Sequence, residues 1–188
     1  MQEITLERII EELEQTRTDI EGVDAPSSPG VYAIYVNDPS TLPITGTPKT
    51  GLLYIGMSSD LAYRDFDTHF SSSGTGYSTL RRTLGALLKQ HLQLRAVPRG
   101  KSEAPSNFTC YRFMSEGEDR LTRWMEHNLE IGTRPLPVVN VRTWEKMLIS
   151  RLRLVLALSD WPNPQAAYIN ALRKKCADEA RDWYRGHH

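Results

Sequence analysis

Cysteine is scarce in this chain. Cys110 and Cys176 are the only two in 188 residues, too few for a disulfide framework, and neither has the Cys or His neighbours of a zinc site. Both are expected to be reduced and structural. No apolar run approaches the roughly 18 residues of a membrane span, and the start, Met1-Gln2-Glu3-Ile4-Thr5-Leu6-Glu7, has no basic stretch leading into an apolar one. These absences predict a soluble, cytoplasmic protein. Net charge is lacking as well, since 23 Lys and Arg balance 23 Asp and Glu, so the field of the whole chain gives no reason to expect nucleic acid. Internal repeats and low-complexity tails are missing too. What remains, 39% hydrophobic and 24% charged residues, is too apolar for wholesale disorder and enough for an ordinary core. One domain with decorations is expected at this length.

The neutral total conceals an uneven distribution. Glu3, Glu7, Glu11, Glu12, Glu14, Asp19, Glu21 and Asp24 face only Arg8 and Arg17 at the N-terminus. From Arg64 to Lys101 the balance reverses, with Arg64, Arg81, Arg82, Lys89, Arg95, Arg99 and Lys101 against Asp65 and Asp67. A basic face can therefore exist on a neutral protein.

Apolar spacing divides the chain. Residues 4 to 20 carry Ile4, Leu6, Ile9, Ile10, Leu13 and Ile20 near helical spacing, predicting an amphipathic acidic helix for packing or for a partner. Pro26 and Pro29 break it. Gly30–Val36 and Leu52–Gly56 are β-branched and aromatic runs joined by a long loop with Pro39, Pro43, Gly46 and Pro48, a pattern that predicts an antiparallel hairpin. Ser58 or Asp60 can cap a helix from Leu61. Ser71–Gly76 reads as a linker without the lysine of a P-loop, and Ser78 or Thr79 as the cap of a helix over Leu80 to Leu94. Arg81, Arg82 and Lys89 fall largely off that helix's leucine stripe and are predicted to hold nucleic-acid phosphates. A strand is expected over Phe108 to Met114, a helix over Asp119 to Ile131, and an edge strand over Leu136 to Val141 because of Pro137. Thr143 is the expected cap of a helix over Trp144 to Leu158, and a last helix runs from Gln165 to about Tyr184.

Gly30-Val31-Tyr32, then Tyr54-Ile55-Gly56, then Arg64, then Glu145 in Glu145-Lys146-Met147-Leu148-Ile149 form an ordered set. The set resembles the GIY-YIG nuclease superfamily over most of residues 30 to 160, and Ser78 to Leu88 is similar to a block of a bacterial subgroup. The resemblance implies an α/β fold of the α+β type, with a small, mainly antiparallel central sheet flanked by helices and extra helices at both ends. It implies three segments: residues 1–24 as an acidic helix, 25–160 as the nuclease-like domain and 161–188 as a helical extension. Metal-dependent hydrolysis of DNA is the implied activity. Glu145 would bind Mg²⁺ or Mn²⁺, Arg64 the scissile phosphate, and Tyr32 and Tyr54 would position or deprotonate water.

The residue chemistry suits those roles. A permanently charged planar guanidinium matches a phosphate, and one hard carboxylate suits magnesium, which keeps most of its waters. A phenol titrates near ~10 and needs a nearby cation to serve as a base at neutral pH. Two positions depart from the family pattern. Thr68 stands four residues after Arg64 where a His or Tyr is common, which leaves His69, one residue on, as an outside candidate for proton transfer. The asparagine expected about twelve residues beyond the glutamate is Ala157, with Asn163 as a substitute. These departures motivate the alternative reading, a weakened or inactive module that binds nucleic acid or protein. Self-association or a protein partner through residues 1–24 is a further expectation.

Overall fold

The structure, a computed structural model, describes residues 4–62 and 69–187. In chain order its elements are α1 (Leu6–Gln15), β1 (Thr18–Asp19), β2 (Gly30–Val36), β3 (Leu52–Ser58), α2 (Thr79–Leu87), β4 (Ala96–Val97), α3 (Pro105–Thr109), β5 (Arg112–Phe113), α4 (Ser115–Asn128), β6 (Leu129–Pro135), α5 (Val141–Leu152) and α6 (Ala166–His187). Contacts group the described residues into two units. The first draws on Met1–Thr41, Thr45–Phe66 and Glu126–Asn163, the second on Leu42–Ile44, Asp67–Met125 and Pro164–His188.

The first unit is built on a four-stranded sheet in the order β1-β6-β2-β3, antiparallel throughout, with helices packed on it. This is the mixed α/β class that the motif resemblance implies. β2 is buried along its whole length because it lies between β6 and β3. Val31, Ala33, Tyr35 and Ile55 share a core with Ile9 and Leu13 of α1 and with Val141, Leu148 and Ile149 of α5. Thr5 opens α1 by accepting from the Arg8 N–H at 3.3 Å. The helix stops at Gln15, short of Ile20, because Thr16 turns to β6: its hydroxyl bonds the Thr133 carbonyl at 2.9 Å and accepts the Thr133 N–H at 3.0 Å. The acidic helix is thus a packed element whose Ile9 and Leu13 are core residues.

Several expected elements differ. The strand placed over Leu136 to Val141 is instead β6, immediately upstream, and it is central rather than at an edge. Pro135 is tolerated because it is the last residue of the strand. The helix over Asp119 to Ile131 is α4, shifted four residues toward the N-terminus and ending at Asn128. Arg153, in the left-handed conformation with φ 53°, ends α5 well before Leu158.

In the second unit, Ser78 caps α2 by accepting the Arg81 N–H at 3.0 Å. That helix ends at Leu87, before the expected Leu94. β4 and β5 form a short ladder, Ala96 opposite Phe113 and Val97 opposite Arg112. The strand expected over Phe108 to Met114 is therefore only its last part; Pro105 at the first helical position starts the short helix α3 through Thr109. α6 packs against β4 and α2, burying Ile169, Cys176, Ala177 and Ala180. Both cysteines are free, and burial pushes the Cys176 thiol up to about 11.

Candidate active site

The register of β2 on β3 sets two tyrosines side by side. Tyr32 stands opposite Gly56 and Ile34 opposite Tyr54, so the two-residue alternation puts Tyr32 and Tyr54 on one face as diagonal neighbours. Their ring centroids are 6.3 Å apart. Tyr32 is buried and Tyr54 half-buried. Gly56 is what permits this arrangement, because the Tyr32 ring lies across it and a Cβ there would overlap the ring and its hydroxyl. Gly30 meets a similar demand from the opposite side, where a Cβ would run into the Arg134 carbonyl of β6 and the Leu61 side chain.

Glu145 comes to the same strand from α5. The helix starts at Val141 after Asn140, which makes no side-chain capping bond, so Thr143 is not its cap and Glu145 lies in the second turn rather than the first. Its carboxylate accepts the backbone N–H of Met57, the residue after Gly56. Among the described residues β3 pairs with β2 alone, so an N–H available to Glu145 points to the strand's outer edge. The chain beyond α5 covers the same edge: the Leu156 N–H donates to the Leu53 carbonyl at 3.3 Å. Asn163 and Trp161 hold that covering segment, with the Asn163 amide donating to the carbonyls of Val155 at 2.8 Å and Ala157 at 2.9 Å, and Trp161 Nε1 to that of Leu154 at 2.9 Å. Asn163 is therefore engaged in shaping the edge.

Burial pushes the Glu145 carboxyl above the ordinary glutamate value, opposed by Arg142, and reinforced by Asp160. The Met57 N–H and Lys146 also oppose the rise. Asp160 is a second acidic group that the sequence reading passed over; its position just ahead of Trp161-Pro162-Asn163-Pro164, where the chain turns back, was the available signal.

The other candidates lie outside the described residues or belong to the second unit. Arg64 and Thr68, with the helix expected from Leu61, lie outside the described residues; Asp60 Oδ1 does accept the Ala62 N–H at 3.0 Å, ahead of that segment. His69 belongs to the second unit, where its Nδ1 is hydrogen-bonded to Ser78 Oγ at 2.7 Å. Arg81 and Arg82 correct an expectation, because neither projects to solvent. Arg81 is fully buried, pairing through Nη2 with Glu118 Oε2 at 2.9 Å and donating to Thr75 Oγ1, the His69 carbonyl and Thr122 Oγ1. Arg82 is buried against the Thr75 carbonyl at 3.0 Å and Thr79 Oγ1 at 3.1 Å. Lys89, half-buried, donates to the Leu94 carbonyl at 2.9 Å and pairs with Glu179 at 3.0 Å. A guanidinium closed in by protein acceptors has no donors left to offer a phosphate, so Arg81 is a core residue. The glycine-rich linker has a structural purpose in the same place: it turns through Gly74–Gly76 and delivers the Thr75 hydroxyl to Glu118 at 2.6 Å.

The donor set can be tested for a metal. Among the described residues no group of three or more His, Cys, Asp or Glu side chains could hold an ion, which does not suit a closed zinc site. A single partly buried carboxylate beside β3, with Tyr54 on that strand and Tyr32 on its neighbour β2, suits a hydrated magnesium-type cation, which takes one or two carboxylates and completes its shell with water and phosphate.

The family model described as GIY-YIG catalytic domain matches residues 30–175. No curated protein and no solved structure matches the chain.

Proposed function

The chain belongs to the GIY-YIG catalytic-domain family, a nuclease family, and on that premise we propose that it is a metal-dependent endonuclease that hydrolyses phosphodiester bonds in DNA. One observation carries the reading: Tyr32, Tyr54 and Glu145 all meet the short stretch Tyr54–Met57 of β3, although they are far apart in sequence. In this reading Glu145 holds a Mg²⁺ or Mn²⁺ ion, which when bound supplies charge neutralisation at the phosphoryl oxygens. The Tyr32 and Tyr54 hydroxyls orient the attacking water, one of the two as its phenolate would take the water's proton, and Arg64 clamps the scissile phosphate. No step is assigned to His69. The test is incubation of purified protein with single-stranded, duplex and branched DNA and with RNA, in Mg²⁺, Mn²⁺ or chelator. Products that need a divalent cation support the reading; no cleavage of any substrate under any metal removes it.

The raised Glu145 carboxyl has a pH consequence. Metal binding needs the carboxylate, and burial favours the protonated form, so cutting should fall off on acidification at a higher pH than an ordinary glutamate would give. A pH–rate profile at a fixed, subsaturating metal concentration, in which that acidic limb moves to lower pH when Asp160 is replaced by Asn, checks this. Gly56→Ala should act on the same centre from the other side. The new methyl meets the Tyr32 side chain rather than backbone, so the ring shifts and the rate drops by roughly 10²-fold. Thermal melting in parallel separates this from unfolding, and a rate like that of the parent sinks the assignment of Tyr32.

A second reading, a nuclease-like domain that grips nucleic acid without cutting, is favoured by Ala157 and by Asn163, whose amide is spent on backbone carbonyls. Salt-sensitive DNA binding with no product under any metal would select it.

A further inference from the structure

The second unit has a cleft that plays no part in the chemistry above. Its volume is about 660 Å³, within the range of clefts that hold small organic molecules, and no lining residue is acidic. Arg99 and Lys101 line it from the loop after β4, Arg112 from β5, and Trp183 and Tyr184 from α6, together with Met114. None of the three cations makes an ion pair among the described residues, whereas Arg81 and Lys89 are neutralised by Glu118 and Glu179. Lys101 and Arg112 are exposed. Like charges gathered without a counter-charge repel one another and attract an anion.

The aromatic rings say which kind of anion. Trp183 is held by His187, stacked on it at 4.0 Å, and Tyr184 meets Phe108 edge-on at 5.7 Å. Rings fixed in this way lose little freedom when a flat partner joins them. A free phosphate or an acidic peptide would use the cations and leave the rings idle; a nucleotide uses both. In a duplex the bases are already stacked and paired, so a ring can take one only after it has been pulled out.

We propose that this cleft binds single-stranded nucleic acid, with a base against Trp183 and Tyr184 and neighbouring phosphates on Arg99, Lys101 and Arg112. The inference rests on the nuclease reading for its ligand class and narrows that class to substrates with an unpaired segment.

The experiment is fluorescence anisotropy of a labelled oligo-dT on the full chain in chelator, where nothing can be cut. Tight binding is expected for oligo-dT and weaker binding for a duplex of equal length. Trp183→Ala should weaken the oligo-dT complex by roughly five-fold or more, the loss of one stacking contact, while Trp183→Phe retains most of it. Lys101→Gln with Arg112→Gln, both at exposed positions, should reduce the slope of log affinity against log salt by about 1.4. Equal affinity for duplex, competition by polyglutamate as strong as by unlabelled oligo-dT, or variants that bind like the parent would each overturn the inference. Cutting that persists with such variants leaves the nuclease reading intact and this one refuted. Tryptophan-dependent binding by a protein that never cuts does the reverse.

Discussion

Glu118→Ala is expected to lower the stability of the protein by roughly 3–5 kcal/mol, the cost of leaving a buried charge without its partner. Glu118 and Arg81 are both almost wholly inaccessible to water, and their ion pair is 2.9 Å long. The glutamate also accepts the Thr75 hydroxyl at 2.6 Å and the Phe113 N–H at 2.9 Å. Removing it orphans three donors from three separate segments at once. For a chain of 188 residues the loss corresponds to a melting temperature lower by roughly 6–20 °C. Glu118→Gln should cost less, since the amide oxygen still accepts from Thr75 and Phe113. Replacing Glu118 and Arg81 together by apolar residues of similar volume should cost less than either single deletion, because no charge is then stranded. Melting curves of the two singles and the double decide the matter, and a Glu118→Ala protein that melts with the parent would show that the pair contributes nothing.

Glu145→Gln should abolish DNA cutting and leave the fold intact. The amide oxygen can still accept the Met57 N–H, so the edge of β3 stays closed, but the negative charge that would hold a cation is gone. Lewis-acid assistance is worth several kcal/mol of transition-state stabilisation, so the rate should drop by roughly 10³-fold or more. Gel assays with metal, alongside circular dichroism and anisotropy in chelator, separate loss of chemistry from loss of structure or of binding. A variant that cuts like the parent would remove Glu145 from the mechanism.

The β2–β3 hairpin and its two tyrosines are legible in the sequence because strand alternation is local information: once the two runs are paired, Tyr32 and Tyr54 must share a face. The partners of more remote groups are not legible in this way. Leu129 continues the four-residue spacing of Leu121 and Met125, so the start of β6 reads as the end of a helix, and Gly132 and Pro135 weaken its strand signal. Only pairing with Thr18 and with Gly30–Val36 makes it a strand. Arg81 reads as an exposed cation because its counter-charge, Glu118, is 37 residues away, and a helix wheel shows no partner that is not on the wheel. Phe108 and Cys110 alternate with polar neighbours, yet Pro105 at a helix start outweighs that alternation over so short a stretch. At the site, the residues that would touch substrate follow from the order of short motifs, whereas Asp160 and the Met57 N–H enter only when the chain after α5 is laid along β3.

The placement of β6 between β1 and β2 decides when this protein can mature on the ribosome. On the side away from β3, Ile34 finds its partner in Ile131, so that edge of the hairpin made first must wait, uncovered, while the whole of Asp67–Met125 is translated. That intervening piece waits in turn for Pro164–His188, which completes its own unit. Neither half can therefore be released early, and a nascent chain stalled before residue 129 presents Gly30–Val36, though paired with Leu52–Ser58 in the hairpin, as an uncovered strand edge open to aggregation.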